Sequence, residues 1–93
     1  MRIFRSPWGK IELTEERKQH IVSFHPDIAP YLRYFDATLR VPKRIARSKH
    51  DKDVIICYRQ LPRRKLFLAI IFRLKPHNNF ILTAYLANKI KRV

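Results

Sequence analysis

Residues 54–87 read VIICYRQLPRRKLFLAIIFRLKPHNNFILTAYLA, and the fold is decided there. Three runs, 54–60, 66–74 and 80–87, are rich in Ile, Val, Phe and Tyr and are separated by polar or proline-containing turns at 62–64 and 75–79. Such residues suit a pleated, half-buried surface, and runs of this length bounded by turn residues read as strands. Alternation along the last run puts Phe80, Leu82, Ala84 and Leu86 on a core face and Ile81, Thr83 and Tyr85 on the opposite one. The connections are short, so neighbouring strands are expected to be antiparallel. The run 44–47, joined through a turn at 50–52, adds a fourth strand.

Upstream of these runs the hydrophobic period changes from two to that of a helix. Thr14 followed by Glu15 and Glu16 is a helix start, because the hydroxyl accepts an orphan amide proton and the carboxylates favour the positive end of the dipole. This helix is expected to run to about Phe24, with Ile21 and Phe24 inward and His20 between them, before Pro26 stops it. From Asp27 a second helix is expected, with Ile28, Leu32, Phe35 and Leu39 as its buried stripe and Pro42 at its end. Before the helices, 2–5 reads as a short strand, with Trp8-Gly9 turning into an extended piece at 10–13. The reading is an α+β fold in which two N-terminal helices pack on one face of a four-stranded antiparallel meander. Its 93 residues make a single domain over 1–93.

Charge narrows the partner. Lys and Arg number 21 against 7 acids, a net charge of +14. That excess points to a polyanion, with nucleic acid the best fit. It is also polarised along the chain, since no acid follows Asp53. The lone Cys57 can form neither an internal disulfide nor a zinc site, and no spaced His/Cys set or glycine-rich phosphate loop occurs. Metal and cofactor roles are therefore not expected. The longest apolar run, 66–72, is far short of a membrane span, and the basic start lacks a signal-peptide core. No membrane partner and a cytoplasmic location are expected.

Cleaving RNA without a metal needs a base for the 2′-hydroxyl, an acid for the leaving 5′-oxygen and donors for the charge on phosphorus. With no acid in the later strands, His, Tyr or Lys must move the protons. His20 is the sharper candidate by helical spacing, while the ordinary role of His25, before Pro26, is to cap a helix. Thr83 and Tyr85 share a strand face on which they can hold a phosphate or pass a proton. Arg59, which by alternation shares a strand face with Ile55 and Cys57, and Arg73, which shares one with Ile71, suit a planar phosphate contact. The dense cations Arg40, Lys43, Arg44, Arg47 and Lys49, with Arg63, Arg64, Lys65 and Lys89 further on, are expected to track a nucleic-acid backbone. Tyr31 and Tyr34 are candidate stacking platforms.

Taken together, residues 9–16 (GKIELTEE), His20-Ile21, His25-Pro26-Asp27, Arg40-Val41-Pro42 and the ending Phe80-Ile81-Leu82-Thr83-Ala84-Tyr85 resemble the phage and prophage branch of the barnase, EndoU, colicin and RelE (BECR) ribonuclease superfamily. The resemblance covers roughly 9–92. It implies the same α+β architecture and a metal-independent toxin acting on transfer or messenger RNA, opposed by an antitoxin or immunity protein. It also implies catalytic roles for His20, His25, Arg59, Thr83 and Tyr85. The alternative is a non-enzymatic RNA- or DNA-binding module on the same scaffold.

Overall fold

The computed structural model describes residues 1–62, 65–76 and 78–90. The chain opens with a hairpin, β1 (Arg2–Ser6) and β2 (Gly9–Leu13), turned through Pro7 and Trp8. Pro7 suits the first corner of a tight turn, and Gly9 takes a φ of 101° that a side chain would oppose. The Ser6 hydroxyl closes the turn, donating to the Gly9 carbonyl at 2.7 Å and accepting from the Trp8 N–H at 3.1 Å.

Helix α1 (Glu15–Phe24) starts on Thr14, whose hydroxyl accepts the Arg17 N–H at 3.1 Å. Only Ile21 of this helix is fully buried; Phe24, expected inward, is 69% exposed. The expected second helix is broken into a 3₁₀ helix (Pro26–Tyr34) and a short α2 (Phe35–Arg40). Pro30 lies inside the first piece, where it has no N–H to donate and its ring opposes the carbonyl four residues back. Ile28, Phe35 and Leu39 still reach the core, and Thr38 is buried at no cost because its hydroxyl donates to the Tyr34 carbonyl at 2.6 Å.

Strands β3 (Arg44–Arg47), β4 (Val54–Gln60), β5 (Phe67–Arg73) and β6 (Asn79–Ala87) pair antiparallel in chain order. They are not the whole sheet, and the expected two helices on a four-stranded antiparallel meander is not the architecture. The sheet has six strands in the order β1-β2-β6-β5-β4-β3, and it is mixed, because β2 runs parallel to β6. The N-terminal hairpin joins it because Phe4, Ile11 and Leu13 need burial that the turn alone does not supply. Asn79 secures the junction: its side-chain amide donates to the carbonyls of Trp8 (3.0 Å) and Lys10 (3.1 Å), and its side-chain oxygen accepts the Lys75 N–H at 3.3 Å.

The helices cover one face, where Ile21, Ile28, Phe35 and Leu39 meet Ile55, Cys57, Leu68, Ile70, Phe72, Ile81 and Ala84. A second, smaller cluster of Ala46, Ile56, Tyr58 and Ala69, with Phe67, Ile71 and Tyr85 against it, lies on the other face. The alternation along β6 is interrupted. Ile71 opposes Thr83 but Phe72 opposes Ile81, so Leu82 is an extra residue at a bulge. Ile81 is consequently in the core rather than on the face of Thr83 and Tyr85, as strict alternation would have it.

Candidate nucleic-acid interface and active site

The sheet face opposite the helices is assembled by strand register. Tyr85 opposes Ala69 on β5, and Ala69 opposes Tyr58 on β4, so the two tyrosines sit one strand apart across a methyl group. The small residue between them lets the phenols hydrogen-bond. Burial, and then the neighbouring Tyr58, push the Tyr85 phenol above its ordinary 10.0. It is therefore a protonated donor near neutral pH. Thr83 stands two residues earlier on the same side.

His25 comes to this face from the end of α1. Its N–H donates to the Ile21 carbonyl at 2.8 Å, closing the helix, and the chain then turns into Pro26. The capping role and the approach to the sheet coexist, because the half-buried imidazole lies 6.1 Å from the Tyr85 ring, centroid to centroid. His20 goes elsewhere. It is exposed, and its ring packs 4.5 Å from that of exposed Phe24 on the outer side of the helix. The inward orientation expected of His20 is not observed, because Ile21 occupies the buried position of that turn.

Beyond Tyr58 this face borders a cleft of about 380 Å³, lined among others by Lys43, Arg44, Arg59 and Ile90. Arg44 opposes Tyr58 in the register, so its backbone is anchored at the strand edge. The structure thus brings together His25, Tyr85 and Thr83. Arg59 does not join them: it opposes buried Leu68 and so falls on the helix side of β4 with Ile55 and Cys57, contributing to the cleft at the end of the strand. Among the described residues, the other expected cations are ion-paired or do not line the cleft. Arg73 is ion-paired with Asp51 at 2.6 Å, and Arg40 with Asp36 one helical turn away at 3.2 Å. Arg47, Lys49, Lys65 and Lys89 are exposed. Arg63 and Arg64 lie outside the described residues.

Tyr31 and Tyr34 stack on each other at 6.2 Å, with the Arg33 guanidinium 5.2 Å from the Tyr34 ring, on the 3₁₀ helix rather than beside Tyr85. Tyr58 was missed from the sequence, although its parity with Ile56 and the small residue at 69 placed it next to Tyr85. Among the described residues, no three His, Cys, Asp or Glu side chains are grouped to hold a metal ion, and no helix is long and apolar enough to cross a membrane. Comparison with models of known families, with curated proteins and with solved structures finds no match.

Proposed function

We propose that the protein is a metal-independent endoribonuclease whose proton carriers are His25 and Tyr85. The observation that carries this reading is their approach to 6.1 Å at the sheet face opposite the helices, in a chain of net charge +14. A histidine imidazole carries a ring nitrogen whose lone pair can take a proton as a general base. A phenol held above its ordinary value keeps one to give.

The reaction that fits is internal transphosphorylation. His25 takes the proton of a ribose 2′-hydroxyl, the oxygen attacks the adjacent phosphorus, and the bond to the 5′-oxygen breaks. Tyr85 delivers the proton to that leaving oxygen, so one proton is taken and one given, and a 2′,3′-cyclic phosphate remains. Thr83 donates to a non-bridging oxygen. Arg44, on the side of the sheet that carries Tyr58 and Tyr85, offsets the charge that grows on the phosphate. His20, on the far side of the helix, has no part.

Incubation of purified protein with total RNA in excess chelator tests the reading. Fragments ending in cyclic phosphate are expected from the wild type and absent with His25→Ala. A wild type that binds RNA with strong salt dependence and leaves it intact identifies a non-enzymatic nucleic-acid-binding module, for which the basic face would suffice.

A further inference from the structure

Phe67 and Gln60 have no place in the proton chemistry, yet they complete the cleft beside it. The two residues oppose each other where β4 ends and β5 begins, and both line the space that Lys43, Arg44 and Arg59 border. Tyr58 forms part of its lining from below and is fully buried, so it is not a surface on which a ligand can stack. Phe67 is only partly buried, and its ring is the aromatic edge left to the cleft. Gln60 is exposed and carries both a donor and an acceptor.

We infer that this cleft takes one unpaired nucleotide, with the base against Phe67, a base edge at the Gln60 amide and the phosphate among Lys43, Arg44 and Arg59. The volume of about 380 Å³ lies within the range of small-ligand sites. An apolar ring beside cations is the combination that single strands use, because every unstacked base offers a flat face whereas a duplex hides its bases. Tyr58 joins the cleft to Tyr85, so the nucleotide held here neighbours the phosphate to be cut. The inference rests on the ribonuclease reading for its choice of RNA, and it names the substrate class as single-stranded.

Fluorescence anisotropy with short single-stranded RNA, and with a blunt RNA duplex carrying the same number of phosphates, tests it. His25→Ala protein keeps the probe intact during the measurement. The single strand is expected to bind about tenfold more tightly than the duplex at equal salt, since stacking adds to the charge term. Phe67→Leu, which keeps an apolar residue on the sheet, should remove most of that advantage and leave the salt slope unchanged. Equal affinity for strand and duplex would overturn the inference, as would a folded Phe67→Leu variant with undiminished preference for the strand. The outcome separates from that of the cleavage assay. Phe67-dependent strand binding by a wild type that does not cleave supports the cleft and rejects the catalytic reading; cleavage with no dependence on Phe67 does the reverse.

Discussion

Replacing Asn79 with alanine tests the architecture where it departs most from a simple meander. Among the described residues, the parallel contact of β2 with β6 has two residue pairs, Ile11 with Asn79 and Glu12 with Phe80. The Asn79 side chain adds three hydrogen bonds there, two of them to the hairpin backbone. The partner groups are near solvent and can turn to water, so each lost bond costs its net value of about 0.5–1.5 kcal/mol rather than a full desolvation penalty. With the 3.3 Å contact counted low, the loss is about 2–3 kcal/mol. Unfolding entropy of about 2.1 cal/mol/K per residue converts this, for a chain of 93 residues, to a fall in Tm of about 10–15 °C. Asn79→Asp should fall further, because it keeps the acceptor but sets a carboxylate against the Trp8 and Lys10 carbonyls. Thermal unfolding followed by circular dichroism reads both. An alanine variant melting within about 3 °C of wild type would show that the amide does not hold the hairpin to β6.

Three further outcomes are expected. His25→Ala should reduce RNA cleavage by about 10²-fold or more with little change in RNA affinity, whereas His20→Ala should cleave at the wild-type rate; equal losses in both would disprove the assignment of roles. Burial pushes the Cys57 thiol from its ordinary 9.0 up to about 12. It should resist alkylation at pH 8 until the protein unfolds, as mass spectrometry would read. Because the folded state keeps a proton that the unfolded chain releases, stability should decline between pH 9.0 and about 12, with Tyr85 acting in the same direction. A rise in denaturant midpoint over that range would contradict the sign. RNA affinity should fall steeply with salt, each neutralised phosphate of a single strand adding about 0.7 to the logarithmic slope. Lys43→Ala should lower that slope, whereas Arg73→Ala should leave it nearly unchanged, since Asp51 already holds that arginine.

Strand positions in the second half were legible because their β-branched and aromatic runs are bounded by turn residues and nothing competes with them. The bulge at Leu82 was not, since one extra residue leaves no mark on an apolar run in which either parity looks buried. The stripe of Ile28, Phe35 and Leu39 was legible, but the helix that carries it was not uniform. Spacing records which residues face inward, and the tighter winding around Pro30 satisfies the same inward positions. The hairpin at 2–13 was visible as two extended pieces, while its partner was not, because pairing with β6 depends on a contact that no local signal encodes. The site was half legible. Thr83 and Tyr85 shared a face as alternation implies, but the choice between His20 and His25 turned on how α1 ends.

The pairing of β2 with β6 also has a bearing on time. It joins residues 11 and 12 to 79 and 80, across nearly the full length of the described chain, whereas β4, β5 and β6 meet through short turns. Contacts between near neighbours close small loops and form early; one that spans so much sequence must wait for most of the chain to be ordered. The central three strands therefore supply the natural nucleus, and the hairpin of β1 and β2, which precedes them in the chain, is among the last to find its place. Until it does, the edge of β6 and the apolar side chains destined to meet Phe4, Ile11 and Leu13 lie open, giving nascent chains an interval of exposure to chaperones and to one another.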